Sequence, residues 1–159
     1  MRILVMGLSG TGKTTLCRHL IEHLDADYIN ADEVRGAAND WDFSAEGRER
    51  QANRMIKLSY EGTKAYMVAD FICPRKAAQT AFNADFTIWM DTEQSSGYAD
   101  TDAIFEKPEA DVVVTSKDKE YWTTHIISEL GCRFAHNAQH DAPTRTGGPL
   151  QRPVFVNLP

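Results

Sequence analysis

Apolar residues along the chain fall into short continuous runs, and between these runs they recur at the spacing of helices. The runs predict five strands, at residues 2–6, 28–29, 65–72, 86–90 and 112–115. The helical spacing predicts helices at 15–24, about 45–62, 75–82 and 117–130, with a short helical turn at 33–35. Apolar strands that alternate with helices indicate an α/β fold, a five-stranded parallel sheet with helices on both faces.

The pattern also predicts how the chain is divided. Residues 1–131 are long enough for one α/β domain with a hydrophobic core, and the whole chain of 159 residues is too short for two. Residues 132–159 are predicted to form an irregular C-terminal tail, because they contain four prolines and a glycine pair. Residues 92–108 show no clear periodicity and are predicted to form a mobile loop.

A phosphate-binding loop is predicted directly after the first strand. Residues 7–14, Gly-Leu-Ser-Gly-Thr-Gly-Lys-Thr, match G-x-x-x-x-G-K-[ST] at every fixed position. Glycines let backbone N–H groups surround a polyphosphate, and the helix that follows adds partial positive charge. Lys13 is expected to reach the outer phosphates, and the Thr14 hydroxyl to ligate Mg²⁺. The predicted contacts with ATP are Gly7, Ser9, Gly10, Thr11, Gly12, Lys13, Thr14 and Thr15.

Two aspartates lie where strands of a parallel sheet end. Asp32 follows the second predicted strand, and Asp70 lies near the end of the third. Ligands of open α/β sheets bind at this edge. Both aspartates are therefore candidates, with Thr14, for the Mg²⁺ site. Asp32 is also a candidate for the carboxylate that orients or deprotonates an acceptor hydroxyl, the alternative being that it caps a helix.

Basic and aromatic residues near the same edge suggest where an acceptor binds. Arg35 and Arg48 follow the second strand and are expected to meet an anionic acceptor. Phe43 lies in a polar loop, where an aromatic side chain often stacks on a flat ligand. Trp41 in the same loop fits equally well as an anchor packed into the core.

Composition narrows the partners and the compartment. The net charge of −6 provides no basic field for duplex DNA, which disfavours nucleic acid without excluding it. Three cysteines at unrelated positions suggest reduced thiols. No apolar run approaches the ~20 residues that span a membrane. Because the first core strand begins at residue 2, no signal peptide is expected. The sequence therefore predicts a cytoplasmic protein without membrane contact.

Taken together, these motifs resemble those of the adenylylsulfate kinase (APS kinase) family, over most of residues 1–130. The family's phosphate-binding loop is similar to residues 7–16, and its Asp-Gly-Asp-Asn-Val-Arg to residues 30–35. Its Phe-Ser stretch with Glu, Arg and Asn is similar to residues 43–51, its Phe-Ile-Ser-Pro to 71–74, and its lid to 98–108.

The resemblance implies a P-loop kinase fold and a specific reaction of sulfate assimilation. ATP with Mg²⁺ would phosphorylate the ribose 3′-hydroxyl of adenosine 5′-phosphosulfate (APS), giving PAPS. Asp32 would orient or deprotonate that hydroxyl, and Phe43 and Tyr98 would enclose the adenine. The acceptor-binding residues implied by the resemblance are Arg35, Phe43, Arg48, Gln51, Phe71 and Tyr98.

The sequence departs from this family at several positions. Asn30 replaces the first acid of Asp-Gly-Asp, Gln51 replaces an asparagine, and Cys73 replaces a serine. The lid is shorter than the family's, and Lys107 is the one cation between residues 76 and 117. Candidates to supply the missing positive charge are Arg75, Lys76 and Arg145.

Two other functions remain open at this point. One is a P-loop kinase for a different hydroxyl acceptor, such as a nucleoside, a nucleotide or a modified base in DNA. The other is a nucleotide-dependent switch that phosphorylates no small molecule; the guanine-reading Asn-Lys-x-Asp of a GTPase does not occur in the sequence. The sequence leaves the oligomeric state open, a homodimer included.

Overall fold

The computed structural model describes the backbone of residues 1–140 and the side chains of residues 1–119 and 121–132. Strands and helices alternate along this part of the chain. The strands are β1 (Arg2–Met6), β2 (Ala26–Asn30), β3 (Tyr66–Asp70), β4 (Phe86–Met90) and β5 (Val112–Val114). The helices are α1 (Lys13–His23), α2 (Ala31–Ala38), α3 (Ala45–Ser59), α4 (Lys76–Phe82), α5 (Ala99–Ile104) and α6 (Lys119–His140).

The five strands form one parallel sheet in the order β2-β3-β1-β4-β5. The predicted fold class is therefore confirmed. In the register of the sheet, Asp70 lies beside Val5 of β1 on one side and beside Asn30 of β2 on the other. The carboxyl ends of these three strands consequently meet at one edge.

Alternation along β1 divides the core into two layers. Ile3 and Val5 point into the layer covered by α1 and α6, while Leu4 and Met6 point into the layer covered by α3 and α4. Residues 3–6 of this central strand are fully buried because helices cover both faces of the parallel sheet. This packing fixes where the strand ends lie, and with them the polar residues that follow.

Two helices occur where the sequence predicted less order. α2 runs over two turns instead of one because the Asn30 side chain caps it, accepting hydrogen bonds from the backbone N–H groups of Asp32 and Glu33. Asp32 is thus not the cap itself. The predicted mobile loop at 92–108 contains the short helix α5.

The last helix corrects the predicted boundary of the tail. α6 continues to His140, so residues 132–140, predicted to be irregular, are helical. Gly131 does not end the helix, because no proline follows before Pro143 and a single glycine costs a helix only about 1 kcal/mol. Residues 141–159 lie outside the described residues. Among the described residues, no helix combines the length and apolarity needed to cross a membrane.

Two glycines in helices make a matched test of this packing. A Cβ atom at Gly47 in α3 would overlap the carbonyl oxygen of Asp42, whereas a Cβ at Gly131 in α6 would meet nothing within 4 Å. We expect Gly47→Ala to lower the free energy of unfolding by about 1–3 kcal/mol. Gly131→Ala should raise it by up to about 1 kcal/mol. Urea denaturation measures both free energies of unfolding. Equal changes in the two variants would show that the loop around Asp42 moves aside with no loss of stability.

Candidate active site

The phosphate-binding loop is held between the end of β1 and the start of α1. Gly12 is the N-cap of α1 and adopts a left-handed conformation with φ 97°. A Cβ atom at this position would lie 2.9 Å from the ring of Trp122, which is too close for two carbon atoms. Glycine is therefore required here by both backbone and packing, and the loop closes directly onto the first turn of the helix.

Lys13 lies inside the loop and is only 8% exposed. Its Nζ donates a hydrogen bond to the carbonyl oxygen of Leu8 at 2.7 Å, and the Thr11 hydroxyl donates to the same oxygen at 2.9 Å. Burial lowers the pKa of Lys13, while the negative charge of Asp70 opposes that shift. A buried ammonium group beside the N-terminus of a helix favours a polyphosphate, which would supply the charge compensation that water cannot.

Thr14 and Asp70 come together at the edge of the sheet. The Thr14 hydroxyl donates to Oδ2 of Asp70 at 2.6 Å, and Asp70 is 3% exposed. A hydroxyl and a carboxylate in contact provide the hard oxygen ligands that Mg²⁺ prefers. These two residues fit the predicted metal site. The third predicted ligand, Asp32, lies instead on the exposed first turn of α2.

Two cavities meet at this edge. The first, here called the loop cavity, is lined by Ser9, Gly10, Gly12, Lys13, Thr14, Thr15, Asn30, Ala31, Asp32, Asp70, Phe71 and Ile72. The second, here called the side cavity, is lined by Ala31, Asp32, Arg35, Phe43, Ala45, Glu46, Arg48, Glu49, Ala52, Phe71, Ile72, Pro74, Arg75, Ala77 and Ala78. Ala31, Asp32, Phe71 and Ile72 line both. Asp32 is the titratable side chain among these four shared residues.

Arg35 organises one wall of the side cavity. Its buried guanidinium donates from Nη1 to the carbonyl oxygens of Asp40 and Asp42, at 3.0 and 2.9 Å. It also lies 4.6 Å from the ring centre of Phe43, which is 51% exposed. Burial lowers the pKa of Arg35, and the charge of Asp40 opposes the shift. Arg35 therefore holds the loop that presents Phe43 to the cavity.

The same loop is fixed by charges on α3. Asp40 accepts hydrogen bonds from Arg50 and Arg54, which hold the pKa of its carboxyl group far below the usual range. Hydrogen bonds from Ser44, together with Arg50, lower the pKa of Asp42 to about 2. Both carboxylates stay ionised at neutral pH, so the loop keeps its ion pairs.

Arg48 connects the side cavity to α5. Its Nε donates to the carbonyl oxygen of Phe43 at 2.9 Å, and its Nη2 donates to the carboxylate of Asp100 and to the Thr101 hydroxyl. Arg48 thus lines the side cavity, but one side of its guanidinium already contacts an anion.

The three cations proposed to replace the family's lid charges differ in placement. Arg75 lines the side cavity at the start of α4. Lys76 forms an ion pair with Glu109 at 3.0 Å, away from the cavity lining. Arg145 lies outside the described residues. Of the two that the structure describes, Arg75 is therefore the better placed.

Two predicted acceptor contacts do not line either cavity. Gln51 is 1% exposed, and its amide donates to the carbonyl oxygen of Ala31 at 2.7 Å, so it joins α3 to the start of α2. Tyr98 is 62% exposed and precedes α5. Phe71, by contrast, lines both cavities.

Sequence reasoning missed several residues of the site. Glu46 and Glu49 line the side cavity and balance its arginines, and their spacing of three on a helix was the available signal. Tyr28 donates to Oδ2 of Asp70 at 3.1 Å and Asn30 does so at 2.9 Å. Their spacing of two on a strand places both on one face, which was the available signal there.

Comparisons with known proteins agree with this geometry. A family model described as an AAA domain matches residues 3–116. The structure is similar to that of the Mycobacterium tuberculosis APS kinase CysC in complex with AMPPNP and APS, with a TM-score of 0.67 and 17% identity over 82% of this chain and 96% of that one.

Two further solved structures share the fold. For a gluconokinase from Sinorhizobium meliloti 1021 the TM-score is 0.67 at 13% identity, over 89% of this chain and 97% of that one. For Chaetomium thermophilum Kti12 in complex with ADP-AlF3 it is 0.64 at 15% identity, over 83% and 98%. No curated protein sequence matches the chain significantly. Together these likenesses show the P-loop kinase fold.

Lys13 provides the first test of the site. We expect Lys13→Ala to lower ATP turnover at least about 100-fold, because one preorganised donor at a developing charge contributes on this scale. The fold should persist, since the Lys13 ammonium bonds to a loop carbonyl and not to the sheet. ADP release and thermal unfolding measure the two effects. Lys57→Ala, at an exposed position of α3, is the control; wild-type turnover in Lys13→Ala would contradict the assignment.

Proposed function

The chain belongs to the AAA domain family and has the P-loop kinase fold, and from this premise we propose that it transfers the γ-phosphoryl group of ATP to a hydroxyl group of a small molecule bound in the side cavity. The observation that carries this proposal is the position of Asp32 in the lining of both cavities. A carboxylate there can face the acceptor hydroxyl and the terminal phosphate of ATP at once.

The proposed reaction needs little chemistry from the protein beyond positioning and charge. The acceptor oxygen forms a bond to the γ-phosphorus while the bond from that phosphorus to the bridging oxygen of ADP breaks. The hydroxyl proton passes to the Asp32 carboxylate. Lys13 and the loop N–H groups hold the phosphates in place. Thr14 and Asp70 would hold Mg²⁺, which neutralises phosphate charge when bound.

We propose APS as the acceptor and its ribose 3′-hydroxyl as the group that is phosphorylated. The exposed ring of Phe43 offers a surface for the adenine, and the Arg35 guanidinium packs against that ring. Arg48 and Arg75 in the same lining suit the phosphosulfate. The solved APS kinase of similar structure holds AMPPNP and APS together. Tyr98 remains a proposed second stacking partner.

One observation favours a second class of acceptor. The lining of the side cavity contains Glu46 and Glu49 as well as its arginines, and Arg48 already contacts Asp100. A cavity with balanced charges suits a less anionic hydroxyl compound, such as a sugar acid or a nucleoside. A protein of similar structure is described as a gluconokinase.

The compartment is proposed to be the cytoplasm. Cys17, Cys73 and Cys132 are all free thiols, which is typical of a reducing environment. Burial raises the pKa of the Cys17 and Cys73 thiols, so neither is a ready nucleophile. Their chemistry is therefore that of core residues and adds nothing to the proposed reaction.

Coupled ADP release tests the function. The purified protein is assayed with Mg²⁺-ATP alone, with APS, and with a panel of sugar acids and nucleosides. Stimulation by APS, with PAPS as the product, is the expected result. Stimulation by another panel member instead would retain the kinase and reject APS. ATP binding without stimulation by any acceptor would favour the nucleotide-dependent switch.

Phe43 provides a test of acceptor binding. We expect Phe43→Ala to raise the KM for APS about tenfold, which corresponds to ~1.4 kcal/mol, because base stacking on an aromatic ring contributes on this scale. The KM for ATP should change less than about twofold, since Phe43 lines the side cavity and not the loop cavity. Steady-state kinetics measure both constants.

Trp41 supplies the matched control for this prediction. It is exposed in the same loop but does not line either cavity. Trp41→Ala should leave both KM values within about twofold of the wild type. Equal changes in the two KM values of Phe43→Ala would contradict the stacking role.

A further inference from the structure

The carboxylate of Asp70 is surrounded by hydrogen-bond donors from two neighbouring elements. Its Oδ2 accepts from the Thr14 hydroxyl at 2.6 Å, from Nδ2 of Asn30 at 2.9 Å and from the Tyr28 hydroxyl at 3.1 Å. Asn30 also donates to the Tyr28 hydroxyl at 3.2 Å, which closes the network. Three donors on one oxygen of a buried carboxylate leave it a single orientation.

Asn30 uses the opposite end of its side chain for another element. Its Oδ1 accepts from the backbone N–H groups of Asp32 and Glu33, at 2.9 and 3.1 Å, and so begins α2. Donation and acceptance at the two ends fix which way the amide faces. An ionised aspartate at this position would keep the cap but would oppose Asp70 with a second negative charge. The network therefore needs an amide here.

We propose that Asn30, assisted by Tyr28, is a positioning residue that sets the Mg²⁺-binding orientation of Asp70 and holds Asp32 in register with it. This inference rests on the proposed function for the role of Asp32. The Thr14 hydroxyl can keep donating its proton to Asp70 while its lone pairs face a cation. With Oδ2 of Asp70 committed to three donors, the orientation of the other carboxylate oxygen is fixed as well.

Tyr28 and Asn30 therefore position different parts of the site. Tyr28 affects only the Mg²⁺ site of Thr14 and Asp70, because its hydroxyl bonds to Asp70 and Asn30 and not to α2. Asn30 affects both the Mg²⁺ site and the position of Asp32, because it bonds to Asp70 and to the first turn of α2, which carries Asp32. The two residues are therefore expected to give different mutant phenotypes.

Binding of a fluorescent ATP analogue, titrated with Mg²⁺ in the absence of acceptor, tests the metal side. For Tyr28→Phe and Asn30→Ser we expect the Mg²⁺ concentration for half-maximal binding to rise about tenfold, the usual effect of losing a hydrogen bond to a metal ligand. Binding of the analogue in EDTA should stay within about twofold of the wild type. Tyr60→Phe, at an exposed tyrosine beyond the end of α3, is the control and should change neither value.

A pair of substitutions at residue 30 separates positioning from helix capping. Serine is as good an N-cap as asparagine but is too short to reach Asp70 as well. We expect Asn30→Ala to lower the melting temperature and Asn30→Ser to restore most of that loss. Neither variant should recover the Mg²⁺ dependence of the wild type. At saturating Mg²⁺, Asn30→Ala should lower kcat about tenfold and by a larger factor than Tyr28→Phe, because Asn30 also bonds to the turn that carries Asp32.

The outcomes distinguish this inference from the proposed function. Unchanged Mg²⁺ dependence in both Tyr28→Phe and Asn30→Ser would overturn the inference while leaving the kinase intact. If Asn30→Ser recovered both the melting temperature and the wild-type Mg²⁺ dependence, capping of α2 alone would explain the role of Asn30. That result would also overturn the inference. A wild-type protein that binds no ATP analogue at any Mg²⁺ concentration would overturn the proposed function, and the inference with it.

Discussion

The contact between Thr14 and Asp70 depends on the parallel register of the sheet, and the site depends on that contact. Thr14 is fixed by the phosphate-binding loop that follows β1, whereas Asp70 ends β3, the strand paired with β1. A shift of one residue between these strands would turn Asp70 to the opposite face of the sheet. The two apolar layers prevent such a shift, because alternate residues of β1 and β3 pack into opposite layers: Ile3, Val5 and Val68 into one, and Leu4, Met6 and Ala69 into the other.

The charged residues around the side cavity also hold the neighbouring loop in place. Arg35 holds two carbonyl groups of the loop before Ser44, and Arg50 and Arg54 hold its carboxylates. A buried guanidinium is stable only when its donors are used, so these contacts explain how a polar wall persists. Replacing Arg35 would therefore disturb the loop and the cavity together, which makes Phe43 the cleaner probe of acceptor binding.

Several polar contacts attach residues 92–108 to the rest of the domain, and three of them reach elements that form the site. The Thr92 hydroxyl donates to the carbonyl oxygen of Thr11 in the phosphate-binding loop. Arg48 contacts α5, and the backbone N–H of Glu106 donates to the carbonyl oxygen of Pro74 at the edge of the side cavity. A segment without apolar periodicity is thus ordered by polar contacts with the very elements that form the site.

The sequence by itself determined the five strands, the phosphate-binding loop and the acidic edge, because each is encoded by contiguous residues whose local pattern dictates conformation. It also predicted Lys13 and Thr14 in the loop after the first strand, Asp32 at the end of the second, and Phe43 in a polar loop. The tertiary structure alone decided that Asp70 and not Asp32 contacts Thr14, that Gln51 is buried under α2, and that α6 continues past Gly131. These features depend on which side chains meet across neighbouring elements. Strand register and helix packing determine such contacts between residues far apart in the sequence, so no local pattern predicts them.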